Sequence, residues 1–288
     1  MQRVAITGAG GQLGRQLVQS FTDAGREVLA LTHDTFDITA PESRQAVVAW
    51  RPDFVVNAAA WTDVDGCARD PDRALAINAA APGALAEAVA VHGTRFIQVS
   101  TNEVFDGADQ RAYATDDEPR PINPYGASKL AAERAVLAAS RINQVVRTAW
   151  LFGPGGTNFV TKILAAAWSA ADRGDRLQVV ADEFGNPTWT PTLAETIVAV
   201  MAAEDGPPIV HAVGTPPASR LAWAECAVRS AGVEVGIDSV SLADFRRAST
   251  PPPHAVLEPS PGLPAIDWRE ATRRYAAQLA APAADEAR

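Results

Sequence analysis

The apolar run Val4-Ala5-Ile6-Thr7 passes directly into Gly8-Ala9-Gly10-Gly11-Gln12-Leu13-Gly14, and a helical pattern then continues to Ala24. Strand, glycine loop and helix in that order restrict the fold severely, because they form the phosphate-gripping turn of a dinucleotide-binding βαβ unit. Glycines let the backbone approach a pyrophosphate, whose charge then rests on the unpaired amides of the helix N-terminus. The spacing here is Gly8, Gly11, Gly14 rather than G-x-G-x-x-G. Gly8, Gly10, Gly11, Gln12 and Leu13 are the expected cofactor contacts, with a purely structural glycine turn as the plainer alternative.

The rest of the chain continues the alternation of strand and helix. Glu27 to Leu31 reads as a second strand, Pro41 to Trp50 as a crossover helix, and Asp53 to Asn57 as a third strand. A long Ala-rich helix follows from Asp70 to Val91, then a buried strand over Arg95 to Ser100. This pattern predicts an α/β protein of the doubly wound type, a parallel sheet covered on both faces. Ligands in such sheets bind at the carboxyl ends of the strands. That rim would carry the glycine loop, the small residues Ala58, Ala59 and Ala60, and Ser100-Thr101, with Asp37 and Ile38 as further cofactor contacts.

Beyond Asp172 the elements shorten and proline becomes frequent. Residues 1–150, with parts of 185–215, are expected to form the cofactor-binding domain, and 151–288 mainly a smaller α/β substrate-binding part. No acidic residue ends the second strand at Thr32-His33, where an Asp or Glu would bind the ribose of NAD. Arg15, just after the last glycine, could meet a 2′-phosphate, so NADPH is the expected cofactor and NADH the alternative.

The chain of 288 residues carries a net charge of -9 and no Lys/Arg run, which speaks against a nucleic-acid surface. Cys67 and Cys226 are its only cysteines, so neither a disulfide framework nor a thiolate metal site is expected. No apolar run approaches the ~20 residues that span a bilayer. Met1-Gln2-Arg3 leads straight into a strand, and no signal peptide is expected. The expected setting is cytoplasmic.

The chemistry gathers in Pro124-Tyr125-Gly126-Ala127-Ser128-Lys129. A Tyr and a Lys four residues apart share one helix face. An ammonium beside a phenol favours the phenolate and lowers its pKa from about 10, so the Tyr can exchange a proton with a carbonyl or alcohol oxygen. Such pairs also occur on solvated helices, and the weight of this one comes from the glycine loop and from Thr101 upstream. Thr101 could hold the same substrate oxygen, or simply cap the turn that follows it.

Together, Gly8-x-x-Gly11-x-x-Gly14, Asn57-Ala58-Ala59-Ala60, Ser100-Thr101 and Tyr125-x-x-x-Lys129 resemble an extended short-chain dehydrogenase/reductase. The stretches NAAAWTDVDGCARDPDRALAINA, STNEVFDG, NPYGASKLAAERAV, RTAWLFG and VVADEFGNPTWTPTLA resemble the dTDP-4-dehydrorhamnose reductase family, from Val4 to about Leu279. The resemblance implies a Rossmann-type fold and reduction of the C4 ketone of a dTDP-4-keto-6-deoxy sugar. Tyr125 would protonate the oxygen, Lys129 would lower the Tyr125 pKa and hold the nicotinamide ribose, and Thr101 would hydrogen-bond the reacting oxygen. Asn102, Glu103, Trp150, Asn158 and Phe159 would face the nucleotide sugar, although Trp150 could equally be a core aromatic. No metal site is expected, and either a monomer or a homodimer.

Two departures stand out. The family usually has Thr-Asp-Tyr where this chain has Thr101-Asn102-Glu103. Thr-Asp-Glu resembles the nucleotide-sugar 4,6-dehydratases, but Asn102 cannot serve as an acid, which favours a reductase. The segment Pro253-His254-Ala255-Val256-Leu257 replaces a usual Arg-Pro followed by Ser-Val-Leu, so a loop anchor or a substrate contact could be lost. Competing readings are an NAD-dependent nucleotide-sugar epimerase or dehydratase, and a cofactor-binding regulatory subunit without activity.

Overall fold

Alternation along each strand builds the two faces of the central sheet. Val4 and Ile6 of β1 (Arg3–Thr7) point to one side and Ala5 to the other. Val56 and Val55 of β3 (Phe54–Asn57), and Ile97 and Phe96 of β4 (Arg95–Thr101), divide the same way. Both faces are apolar, as a strand covered by helices on each side requires. The computed structural model, which describes residues 1–203, 205–244, 247–264 and 266–281, has six parallel strands in this sheet.

Their order is Ile209–His211, β5 (Gln144–Thr148), β4, β3, β1 and β2 (Glu27–Leu31). Val4 stands opposite Val28 on one side and Phe54 on the other. The expected Rossmann-type parallel sheet is therefore present. Helices Gln12–Asp23 and Thr190–Ala202 cover one face through Leu17, Phe21, Leu193 and Ile197. Helices Pro41–Trp50, Ala81–Ala90 and Pro124–Ala139 cover the other through Val47, Leu85, Val89 and Val136. The chain winds from β1 outward to β2, then returns past β1 to β3. That reversal opens a crevice at the carboxyl ends of β1 and β3, where such sheets bind ligands.

The expected helix from Asp70 to Val91 is interrupted. Pro71–Leu75 and Ala81–Ala90 are α-helical, and Ala76–Ala80 between them is a π turn. The wider turn places Asn78, fully buried, against Trp61: its Oδ1 accepts from the Trp61 N–H at 2.7 Å, and its Nδ2 donates to the Trp61 carbonyl at 3.1 Å. Nδ2 also reaches the Ser128 hydroxyl at 3.1 Å, tying the loop after β3 to the Tyr125 helix. π turns of this kind often sit beside functional sites.

A second core lies in the C-terminal part, where helices Phe159–Arg173, Arg220–Ser230 and Trp268–Ala280 enclose Phe152, Leu164, Trp223 and Trp268. Strands Leu177–Val180 and Ile237–Val240 pair in parallel at its edge. Buried indoles need partners for their N–H groups. Trp223 donates to Thr272 Oγ1 at 3.0 Å, and Trp268 to the Pro216 carbonyl at 2.6 Å. No helix among the described residues is long and apolar enough to cross a membrane.

Candidate active site

The crevice is a cleft of 610 Å³ whose walls include Gly8, Gly10, Gly11, Gln12, Leu13 and Gly14 on one side and Trp150 on another. Thr101, Glu103, Tyr125 and Lys129 line it between them. The glycine wall has no room for side chains at Gly8 and Gly14. Gly8 has φ +70°, and a Cβ there would sit 2.6 Å from the Ala59 nitrogen. A Cβ on Gly14 would collide with the Gly8 carbonyl oxygen. Helix Gln12–Asp23 has no side-chain cap at its N-terminus, so its first amides face the cleft ready for an anion. This cradle of bare backbone fits a dinucleotide pyrophosphate.

Thr101 ends β4 and tips the chain into a short turn, Asn102–Val104. Its hydroxyl accepts from the Glu103 N–H at 3.2 Å and donates to Asn102 Oδ1 at 3.3 Å, so the capping role is real, and it lies near enough to Tyr125 to favour the phenolate. Tyr125 enters on helix Pro124–Ala139, started by Asn123 as cap and Pro124 in the first turn. Lys129 stands one turn further on, almost fully buried, and its Nζ donates to the Val99 carbonyl at 2.7 Å.

The electrostatics correct one expectation: Lys129 does not draw the Tyr125 pKa down. Burial is the main influence on the phenol and the Glu103 carboxylate adds to it, so Tyr125 is pushed above its ordinary value; only the nearby Thr101 hydroxyl opposes them. The Lys129 ammonium instead loses stability to burial, and its pKa falls to about 8 despite the pull of Glu133. Tyr125 is thus held in its protonated form, the form that donates a proton.

Beneath Lys129 lies a buried ionic cluster. Glu133 accepts from the Ser100 hydroxyl at 2.5 Å and forms a salt bridge with Arg147 at 2.7 Å. Arg147 reaches His211 Nε2 at 3.4 Å, and burial together with Arg147 holds His211 down at about 4. The cluster locks β4, β5, the Ile209–His211 strand and the Tyr125 helix together directly behind the reacting groups.

A family model described as the RmlD substrate binding domain matches residues 1–281. The dTDP-4-dehydrorhamnose reductase of Mycobacterium tuberculosis is 40% identical over 293 residues, covering 98% of this chain and 94% of that protein. This chain belongs to the dTDP-4-dehydrorhamnose reductase family. Two solved dTDP-4-dehydrorhamnose reductases superimpose closely on it. That of Clostridium acetobutylicum gives a TM-score of 0.91 at 31% identity, covering 96% of this chain and 99% of its own. That of Bacillus anthracis, in complex with NADP, gives 0.88 at 30% identity with the same coverage.

Several residues expected at the site are tied into the scaffold of this reductase-family chain. Ile38 is packed in the core on one face of the sheet, and Asp37 spends its carboxylate on Thr39 at 2.7 Å and 2.9 Å. Neither lines the cleft. Asn158 caps helix Phe159–Arg173 and donates to the Gly153 carbonyl at 3.0 Å; it is scaffold beside the cleft, not a wall of it. Phe159 stacks on Trp223 with ring centroids 4.5 Å apart. Asn102 does line the cleft, but its amide nitrogen is turned into the fold, donating to the Ala255 carbonyl at 2.9 Å. The altered Pro253–Leu257 segment is therefore anchored, with Asn186 also gripping Leu257 at 2.8 Å.

Trp150 does line the cleft, in a left-handed conformation (φ 43°) uncommon for a bulky residue. The Arg220 guanidinium lies 3.6 Å over its ring, and Trp223 stacks parallel to it at 5.8 Å. Arg220 is fixed in turn by Glu183 at 2.9 Å. Arg220 and Asn123 escaped the sequence reading, whereas Glu183 lies in the Asp182–Thr188 segment that the family resemblance assigns to the sugar-nucleotide side. For Asn123 a signal existed, since Asn-Pro is a helix start. Arg220 gave none, because its role arises only when residues 70 apart in the chain are packed together.

Proposed function

We propose that this protein reduces the C4 ketone of a dTDP-linked 4-keto-6-deoxyhexose, using NADPH. The observation that carries the reading is the convergence of Thr101, Tyr125 and Lys129 on one cleft that is also lined by a bare glycine cradle. Bound NADPH supplies the hydride to the carbonyl carbon. Tyr125, kept protonated by burial and by Glu103, donates its phenolic proton to the oxygen as negative charge develops there. Thr101 gives the same oxygen a second hydrogen-bonding partner. Lys129, backed by the Glu133–Arg147 pair, offers its ammonium to the cofactor ribose. Gly8, Gly10, Gly11, Gln12 and Leu13 hold the pyrophosphate, with Ala58, Ala59 and Ala60 under the flat rings. Arg15, exposed and bonded through Nε to the Gly10 carbonyl at 2.9 Å, takes no other partner among the described residues, which suits its guanidinium to a 2′-phosphate.

Trp150, packed against both Arg220 and Trp223, forms the wall of the sugar-nucleotide side. A dehydratase would need an acid at position 102, and the Asn102 amide is committed to Ala255. The test is NADPH oxidation with the 4-keto sugar, comparing wild type with Tyr125→Phe. Removing a positioned proton donor should lower kcat by about 10²–10⁴ with the NADPH Kd unchanged. Equal turnover by the variant would remove Tyr125 from the mechanism, and no oxidation by wild type would remove the reading itself.

A further inference from the structure

Glu103 is the one acidic side chain among the described residues that line the cleft. Its Oε2 accepts from Asn123 Nδ2 at 2.7 Å. Asn123 is fixed on two further sides: Nδ2 donates to the Thr250 carbonyl at 3.1 Å, and Oδ1 accepts from the Gly126 N–H at 2.8 Å. Glu103 Oε1 takes no hydrogen bond from any described residue. The carboxylate is thus held by one oxygen while the other stays available to a donor in the cleft.

Its position follows from the two segments that meet there. Thr101 and Glu103 are two residues apart on the turn leaving β4, and Asn123 and Tyr125 are two apart at the start of the facing helix. Thr101, Glu103 and Tyr125 all line the cleft, with Thr101 near Tyr125 and Glu103 hydrogen-bonded to Asn123 beside them. Thr101 and Tyr125 take the ketone oxygen in the function proposed above, on which this inference rests. Glu103 then meets the substituent on a carbon next to the ketone. In a 4-keto-6-deoxyhexose one neighbour of C4 carries the methyl group and the ring oxygen, and the other, C3, carries a hydroxyl. A carboxylate oxygen can only accept, and a hydroxyl can donate.

We propose that Glu103 is a specificity-determining residue that accepts a hydrogen bond from the C3 hydroxyl of the keto sugar, so that the site selects substrates hydroxylated next to the ketone. A charge-assisted bond of this kind is stronger than a neutral one, and leaving its acceptor unpaired is costly. The groups around Glu103 bear on its charge. Burial raises its pKa first and Glu183 adds to this, whereas the Asn123 hydrogen bond, Arg220 and Arg247 hold the carboxylate form. Tyr125 lies beside it as a neutral phenol.

The experiment measures kcat and KM for the 4-keto-6-deoxy substrate and its 3-deoxy counterpart, in wild type, Glu103→Gln and Glu103→Asp. Fully buried sites of this type reject the analogue lacking the hydroxyl by about 10⁴–10⁵, and Glu103 is only half-buried. Wild type should therefore favour the hydroxylated sugar by roughly 100-fold, and Glu103→Gln by less than about 10-fold, with the loss in KM rather than kcat. Glu103→Asp, which keeps the charge, should recover part of the preference. KM of wild type should rise as the pH falls through the titration of the carboxyl, and that of Glu103→Gln should not. Undiminished preference in Glu103→Gln, or a loss confined to kcat, would overturn the assignment. Wild type that oxidises NADPH with both sugars equally would overturn it too, while leaving the ketoreductase reading intact. Wild type active on neither sugar would sink the ketoreductase reading and this one with it.

Discussion

The cleft wall that carries Gly8 to Gly14 is made of backbone, and the wall that carries Trp150 is made of side chains. On the first, function depends on what is missing: a Cβ on Gly8 or Gly14 would strike the main chain of a neighbouring turn. On the second, it depends on a stack in which Arg220, Trp150 and Trp223 each fix the next, with Phe152 and Phe159 packed behind. A backbone wall is written in consecutive residues. A side-chain wall is assembled from segments that meet only in the finished fold. The two should therefore respond differently to substitution.

Trp223→Ala tests the side-chain wall with the largest expected effect on stability. Trp223 is fully buried, and truncating a buried Trp costs about 3–5 kcal/mol. Urea or thermal unfolding should show a loss of that size. Trp150 also loses its stacked partner, so KM for the sugar nucleotide should rise while NADPH affinity of the folded protein is kept. A parallel loss of NADPH affinity would show that the two walls are not independent.

Gly14→Ala makes the reverse test. The added methyl meets the Gly8 carbonyl oxygen and, at 2.7 Å, the Ala9 Cα, neither of which belongs to a flexible side chain. Overpacking of this kind costs about 1–3 kcal/mol. Part of that strain should displace the loop itself, raising the NADPH Kd at least about tenfold by fluorescence titration. Affinity for a dTDP nucleotide should stay within about twofold, since the Trp150 wall is untouched. Equal weakening of both ligands would break the distinction.

The same difference explains what was legible beforehand. The sheet, the glycine loop and the Tyr125–Lys129 face follow from local periodicity and spacing, and the structure places them on one cleft. The Tyr125 electrostatics did not follow: four-residue spacing shows that a Lys shares the helix face, but not that its ammonium turns to the Val99 carbonyl. Nor did the reach of Asn102 to Ala255 across 153 positions. Arg147, Glu133 and His211 each read as ordinary polar residues of a strand or helix. Only the parallel pairing of β4, β5 and the Ile209–His211 strand gathers them into one buried cluster.

Asn158 gives the sharpest test at the smallest cost, because it lies where the two walls join. The family resemblance assigns it to the substrate, yet its side chain is fully used by the scaffold. Oδ1 accepts from the Thr161 N–H at 3.2 Å, and Nδ2 donates to Gly153 O at 3.0 Å and to the Tyr275 hydroxyl at 3.3 Å. Gly153 O also accepts from Gln12 Nε2 at 2.5 Å, so the loop over the cofactor cradle hangs partly on this cap. Loss of an N-cap costs about 0.5–2 kcal/mol. Asn158→Ala should lower the unfolding free energy by about 1 kcal/mol. Its effect on kinetics should appear in KM for NADPH before KM for the sugar, because the released loop borders Gln12. Asn158→Asp keeps the acceptor that caps the helix but loses the donor to Gly153, and should recover the stability without recovering the cofactor KM. If instead the sugar KM rises tenfold with the melting temperature unchanged, Asn158 is a substrate contact that reorients on binding. The side-chain wall would then extend further toward the glycine loop than its packing shows.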